Sequence, residues 1–491
     1  MKKSYLTWTD QFCGAGGSSQ GVRNLSNKMG GGLEVALALN HWDLAIETHN
    51  TNFQETLHDC TDISACDPRR YPSTDFLITS PECTNQTGAN GKKKPTIQLD
   101  IFDQKKLCPA EERSRATMWD VVRFAEYHQY NCITVENVVE ARKWVMFEAW
   151  LNAMHVLGYR HKCLYLNSMH FFPCPQSRDR MYIVFWKKGN KAPELNYTPL
   201  AYCQCCGKDV KAVQSWKPNQ KTFKYKTGYV YCCPYDGNIV DPYYHAAFNC
   251  IDWSIPGRRI GDIDLVDNTI RRIKLGREKY WKDGQQTYQY PLIIKGEYTK
   301  TEGYVRKAVD AFQTQSTRQT FGLLTPMIVE YNRTGKAFPV TDNPITTFTG
   351  AERHGLVMPY IIENKGKSTA REISKPLSCI TTMLQHGIVT SEAFNAFITY
   401  YNGGSDVSSH ILSPAGVFSS NPRHGLVINK APEIEDCFYR TLKAHEIKLG
   451  MAFDADYIIK GNSKDQVKQC GNAVTPPVME WIQGQLVNSL N

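Results

Sequence analysis

Cys83, in the run TSPECTNQT (79–87), is the residue whose setting promises the most chemistry. A thiolate is strongly nucleophilic and leaves readily afterwards, and a free thiol with a pKa of about 8.5 gains from an electropositive setting. Upstream lies the Gly-rich run DQFCGAGG (10–17); downstream lie VENV (135–138), PQSRDR (175–180) and QCGNAV (469–474). Gly14, Gly16 and Gly17 would let a backbone approach a ligand closely. Glu136 is a carboxyl suited to acid–base work. Arg178 and Arg180 can steady phosphates and carbonyls, or orient neighbours. Alone, Cys83 reads more easily as an inert buried cysteine, and a Gly-rich loop is weakly specific. The weight comes from five pieces in one order.

Elements must place those pieces together. Residues 1–190 alternate strand-like runs (5–12, 33–40, 75–80, 131–137 and 180–186) with helical stretches (117–128 and 144–158). That alternation predicts a doubly wound α/β sheet, in which ligands bind beyond the carboxyl ends of the strands. Asp10, Cys83 and Glu136 all fall at or just past strand ends. Phe12 can pack on an adenine ring. Trp42, in NHWDLAIETHN (40–50), offers a second aromatic face, and Asp62 in CTDIS (60–64) can accept from an adenine amino group.

The chain has 491 residues, 42% hydrophobic and 21% charged, which predicts a soluble protein of more than one domain. No apolar run reaches the roughly 18 residues of a membrane span. The start, MKKSYLTWTDQFCG, has no apolar core of a signal peptide, so a cytoplasmic location is expected. Seventeen scattered cysteines then point to reduced thiols rather than a disulfide framework. Net charge is +9, from 57 basic and 48 acidic residues, and residues 201–310 carry 18 Lys/Arg against 12 Asp/Glu. A basic middle suits a phosphate backbone, or is ordinary surface charge.

After a Pro/Asn-rich connector come CQCCGKD (203–209) and YCCPYDG (231–237). Cys203 and Cys206 form a C-x2-C-G knuckle. The second knuckle is imperfect, because two residues after Cys233 it offers Tyr235 and then Asp236 rather than a cysteine. Structural zinc on Cys203, Cys206 and Cys233 would need Cys232 or Asp236 as a fourth ligand; a decayed, metal-free knuckle is the alternative. Residues 310–429 carry a degenerate repeat around Gly322, Gly355, Gly387 and Gly425, which predicts stacked β-hairpin units. Arg353, His354, His386, Arg423 and His424 recur at one register, to contact nucleic acid or to cap a required turn. Near the end, 440–453 predicts a helix capped by Thr441, and 466–487 predicts a turn and a helix opened by Pro476 and Pro477.

The ordered set resembles the DNA cytosine carbon-5 methyltransferases of phage and bacterial type. The resemblance is specific over 1–190 and 438–491 and loose between. It implies a Rossmann-like S-adenosylmethionine-dependent domain formed by those two segments, an insertion over 191–310 with the possible zinc ribbon, and a mostly β target-recognition region over 311–437. It implies that Asp10, Phe12, Gly14, Gly16, Gly17, Trp42, Asp62, Ile63, Pro81, Asn472 and Val474 hold S-adenosylmethionine. It implies Cys83 as nucleophile on carbon 6 of a cytosine flipped out of the duplex, Glu136 acting at N3, Arg178 and Arg180 supporting them, and no catalytic metal. Double-stranded DNA is the expected partner, of a monomer in a bacterial cell or encoded by a phage. Two departures stand out: His41 occupies the position before Trp42 where the family often has an acid, and Glu82 and Thr84 flank Cys83 where the family has Pro and Gln. An RNA cytosine-5 methyltransferase, a non-catalytic DNA-binding relative and a transferase using another one-carbon donor are the alternatives.

Overall fold

The computed structural model describes residues 5–81, 109–245 and 438–490, with backbone alone at 109–116 and 438–441, and between 247 and 435 a series of short strands and turns. Cys83, Glu82, Arg353 and Arg423 lie outside the described residues.

Seven strands form the central sheet: β1 Leu6–Gln11, β2 Leu33–Asn40, β3 Leu57–Cys60, β4 Phe76–Thr79, β5 Cys132–Asn137, β6 Tyr159–Asn167 and β8 Asp179–Lys187. Their order is β3-β2-β1-β4-β5-β8-β6. Neighbours run parallel except at β8, which is antiparallel to β5 and β6. This is the expected doubly wound, Rossmann-like sheet. The chain winds outward to β3 and then back across to β4, so the switch point falls between β1 and β4.

Strand alternation builds two cores. Along β8, Met181, Ile183 and Phe185 join a cluster with Val121 and Phe124 of α3 (Pro109–His128) and Trp150 and Met154 of α4 (Phe147–Val156). Tyr182, Val184 and Trp186 join the opposite cluster, with Val22 of α1 (Gly17–Met29) and Val478, Ile482 and Leu486 of the last helix. The remaining helix of this half is α2, Asp43–Asn52. The predicted helix over 144–158 is shorter, because buried Trp144 has extended backbone and separates a 3-10 turn at Val139–Lys143 from α4.

The C-terminal segment folds as α5 Ala444–Gly450, α6 Ser463–Asn472 and α7 Pro476–Leu490. Two expectations are corrected here. Thr441 ends a strand, Phe438–Thr441, and Lys443 is the N-cap of α5. Its amide donates to Glu446 Oε2 at 2.6 Å, so Glu446 closes the first turn from within. The expected turn before Pro476 is the helix α6, which opens on an Asn462–Asp465 capping box. Pro476 does begin α7. Gln483 pins that helix to the sheet: Trp8 Nε1 donates to its Oε1 at 2.9 Å, and its Nε2 donates to Thr134 Oγ1 at 3.0 Å.

Two-residue β7, Gln176–Ser177, pairs outside the main sheet with Leu377 and Ser378. Beyond it come β9 Leu200–Cys203, β10 Lys208–Lys211, β11 Val213–Trp216, β12 Tyr229–Cys232 and β13 Ile239–Val240. The repeat glycines all fall on strands: Gly322–Leu323, His354–Leu356, His386–Thr390 and His424–Val427. Gly355 and Gly425 close two three-stranded sheets of one design, in which a hairpin (Met327–Glu330 with Ala337–Pro339, or Phe397–Asn402 with Ser405–His410) receives the repeat strand antiparallel. Gly322 and Gly387 pair with each other in an eight-stranded sheet.

Candidate active site

Parallel register brings three strand ends level. Gln11 of β1 pairs with Thr79 of β4, and Thr79 with Val135 of β5. Phe12, Ser80 and Glu136 therefore lie level at the carboxyl edge, next to the switch point, with Pro81 one residue beyond.

Asp10 is 1% exposed and accepts from Ser19 Oγ at 2.7 Å. Burial pushes its carboxyl up to about 7, with the Ser19 hydroxyl partly opposing the rise. Ser19 has one proton to give and gives it to Asp10, so His49 Nε2, 2.8 Å from the same oxygen, must be the donor there. His49 Nδ1 then accepts from His58 Nε2 at 2.8 Å. Burial holds His49 well below the usual histidine range, consistent with that neutral tautomer. Sequence reasoning missed this chain of Ser19, His49 and His58, because no short motif links the three.

Phe12 (φ 54°) and Gly14 (φ 53°) turn the chain in the left-handed region just past β1. Among the described residues, a side chain at Gly14 would meet the Phe12 carbonyl alone, at 3.9 Å, so there is space beside this glycine. Gly16 and Gly17 have another duty. A Cβ on Gly16 would lie 2.3 Å from the Tyr457 hydroxyl, and one on Gly17 would lie 2.0 Å from the Val474 carbonyl oxygen. They make room for the C-terminal segment, and Tyr457 also donates to the Ala15 carbonyl. The buried side-chain amide of Gln11 and hydroxyl of Thr79 have no partner among the described residues. Buried polar atoms at a strand edge fit a bound polar ligand that would satisfy them.

Trp42 caps α2 and carries Lys468 Nζ over one face, 4.1 Å from the ring centroid. Asp62 is exposed and accepts from the Ser64 amide at 3.1 Å. Ile63 is buried, its carbonyl held by Arg123 at 2.9 Å. Asn472 is exposed at the end of α6, while Val474 is buried against Gly17.

Glu136, 8% exposed, forms an ion pair with Arg180, Nε to Oε1 at 2.9 Å. The adjacent Asn137 donates to the Pro81 carbonyl at 3.4 Å, tying the end of β5 to the loop that leads to Cys83. Arg178 is buried and braces the CGNAV segment: Nη1 donates to the Gly471 carbonyl at 3.2 Å and Nη2 to the Ala473 carbonyl at 3.0 Å. The motif arginines thus divide the work. Arg180 faces the carboxyl, and Arg178, just before β8, ties that turn to the CGNAV segment.

Away from this edge, Cys203, Cys206, Cys233 and Asp236 bring four ligand atoms within 4.8 Å of one another. Of the two candidate fourth ligands, Asp236 joins the group and Cys232 does not.

A sequence model of the C-5 cytosine-specific DNA methylases matches residues 6–488. The chain belongs to that family. No curated protein matches it. Similar solved structures include an Entamoeba histolytica methyltransferase, at 11% identity over 99% of both chains with a TM-score of 0.44. They also include a DNA modification methyltransferase encoded within an E. coli prophage, at 13% identity over 99% of both chains and a TM-score of 0.42. S. pombe Dnmt2 is a third, at 13% identity over 99% of both chains and a TM-score of 0.46. Membership makes this chain an S-adenosylmethionine-dependent C-5 cytosine methyltransferase by family, with a nucleic acid as substrate. No helix among the described residues is long and apolar enough to cross a membrane.

Proposed function

We propose that this family member methylates carbon 5 of cytosine in double-stranded DNA, with Cys83 as nucleophile. The observation that carries the reading is the Glu136–Arg180 ion pair at the end of β5, beside the Pro81 carbonyl that Asn137 holds. Cys83 stands two residues past Pro81 in sequence.

The Cys83 sulfur adds to carbon 6 of a cytosine turned out of the stack. Glu136 acts at N3 as that bond forms, so negative charge does not build up on the ring. Arg180 keeps the Glu136 carboxyl aimed, and Arg178 holds the CGNAV segment so that the cofactor wall stays in place. Asp10, Phe12, Gly14, Trp42, Asp62 and Ile63, with Pro81, Asn472 and Val474 around them, would hold S-adenosylmethionine, which when bound would give its sulfonium methyl to carbon 5 and leave as the thioether S-adenosylhomocysteine. Gly16 and Gly17 contribute to that pocket indirectly, by seating its C-terminal wall. A base then removes the carbon-5 proton and Cys83 departs, restoring the free thiol. Segments 1–190 and 438–491 form the catalytic unit, and the β-rich 311–437, with the basic 191–310 as its root, reads the target on a monomeric enzyme.

Transfer of labelled methyl from S-adenosylmethionine to duplex DNA, beside an RNA of the same sequence, tests the reading. Label on DNA cytosine carbon 5 supports it. Label on RNA alone would transfer the same chemistry to the other nucleic acid, and label on neither would leave a binding protein.

A further inference from the structure

The second knuckle of the insertion looks broken in sequence, yet its backbone matches the first. After Cys206, Gly207 turns in the left-handed region at φ 63°; after Asp236, Gly237 does the same at φ 73°. In the first knuckle the Cys206 amide points at Cys203 Sγ, 3.5 Å away. In the second, the Gly237 amide donates to the Cys233 carbonyl at 3.0 Å, and Asn238 closes the hairpin onto the Cys233 amide at 2.8 Å. C-x2-C-G and C-x2-D-G are thus two copies of one turn, with a carboxylate where the fourth thiol would be.

The ligand atoms converge. Asp236 Oδ1 is occupied by the Asn238 amide at 2.9 Å, which leaves Oδ2 aimed at the thiols. Oδ2 lies 3.1 Å from Cys203 Sγ and 3.3 Å from Cys206 Sγ. Cys206 Sγ and Cys233 Sγ are 3.7 Å apart. A tetrahedral zinc–thiolate site with bonds of about 2.3 Å has sulfur–sulfur edges of about 3.7–3.8 Å. A disulfide would bring the sulfurs to about 2.05 Å. Cys203 and Cys233 are buried, and Cys206 is half-buried. Three soft thiolates with one oxygen, in a closed set of four, suit zinc with no open position.

The site stands at the base of an aromatic wedge. β12 runs into Cys233, and its Tyr231 meets His170 edge-on at 5.1 Å. Tyr225 meets the same ring at 4.6 Å, and Phe223 stacks on Tyr165 at 4.5 Å. Gln214 of β11 donates to the Tyr165 carbonyl at 2.8 Å. The wedge ends beside the catalytic edge: the Tyr225 amide donates to Asp179 at 2.9 Å, and Lys224 pairs with Glu140 at 2.6 Å. Asp179 adjoins Arg180, the partner of Glu136, and Glu140 lies four residues past it.

We propose that Cys203, Cys206, Cys233 and Asp236 hold one zinc ion, and that this ion clamps the root of the insertion against the catalytic sheet. It takes no part in methyl transfer, so the proposal stands whether the substrate is DNA or RNA.

The test uses the full-length chain, purified without chelator, and reads metal content by mass spectrometry together with the absorption of a cobalt-substituted sample. The expected result is one zinc per chain, thiolate-to-cobalt bands of three sulfurs, and loss of metal in Cys206→Ala. Asp236→Cys is expected to keep the metal and to resist a chelator better than wild type, showing that position 236 is a ligand. Stripping zinc is expected to shift Trp216 emission and to open residues 200–245 to protease. Absence of metal and of cobalt bands, or a Cys206–Cys233 disulfide in its place, overturns the site. Metal that leaves without changing emission or proteolysis overturns the clamp.

Discussion

Arg180 Nε lies 2.9 Å from Glu136 Oε1, with the two side chains 12% and 10% exposed. Removing one partner of a largely buried pair leaves the other charge uncompensated, at a cost of about 3–5 kcal/mol. Arg180→Ala should therefore both destabilise the chain and misplace the carboxyl. Glu136→Gln keeps a hydrogen-bonding group beside Arg180 and should cost less stability. If Glu136 works at N3, both variants should slow methyl transfer by about 10²–10⁴-fold. Urea titration and single-turnover transfer separate the effects; a Glu136→Gln enzyme of undiminished rate would remove Glu136 from the chemistry.

Cys83→Ser should abolish transfer and spare cofactor binding, because a hydroxyl is not appreciably ionised at neutral pH and cannot replace a thiolate. Calorimetry with S-adenosylmethionine, beside the transfer assay, checks both halves. Transfer that survives in Cys83→Ser would require a different nucleophile.

Gly17→Ala should destabilise by about 1–3 kcal/mol through overpacking, since its Cβ would fall 2.0 Å from the Val474 carbonyl oxygen. Gly484 is the contrast: its Cβ would meet Leu25 Cδ1 at an ordinary 3.4 Å, within α7. There alanine should be neutral or stabilising by up to about 1 kcal/mol. Thermal melts of the two variants would refute the packing argument if they shifted alike.

His170 is buried, and burial pushes its pKa down from 6.5 to about 3. Between those values the unfolded chain binds a proton that the folded chain refuses, so this residue makes stability fall as pH drops from about 6.5 towards 3. Asp10, raised to about 7, and Asp179, raised to about 6, act in the opposite sense: stability rises as pH falls through those values. His170→Gln removes only the histidine's contribution. Relative to wild type, the variant should gain roughly 2 kcal/mol on moving from pH 7 to pH 5, at about 1.4 kcal/mol per pH unit below 6.5. Urea midpoints of both proteins at the two pH values measure the difference, and an unchanged difference would mean that His170 does not resist protonation.

Five of the seven sheet strands were readable as short apolar runs, whereas Leu57–Cys60 (LHDC) and Tyr159–Asn167, whose first half is largely polar and only part-buried, were not. The predicted 33–40 run is β2 to the residue, and 75–80 differs from β4 by one residue at each end. The strand ends then located Asp10 and Glu136 without further information. What could not be read depends on residues far apart in sequence. Nothing near Gly17 in sequence says that its neighbour is Val474, so its packing duty against the C-terminal segment could not be read there. Lys443 escaped notice as an N-cap because its side chain is not among those that usually cap; the turn is closed from within by Glu446. In the insertion, Asp236 stood as one of two candidate ligands, and the convergence of its carboxylate on the three thiols, which Cys232 does not share, is a property of the fold that spacing could not supply.

The cover that α7 gives one face of the sheet also sets a schedule. When a ribosome has finished β8, the sheet is complete, yet Trp8, Phe76 and Val184 still lack the helix that covers them. Roughly 290 residues separate Lys187 from Pro476, and at about 5–20 residues per second that is a wait of roughly 15–60 s. During it, one side of the nascent sheet is an exposed sticky surface. The insertion must leave the tunnel and take shape beside a half-finished core, which closes when the helix that begins at Pro476 is made.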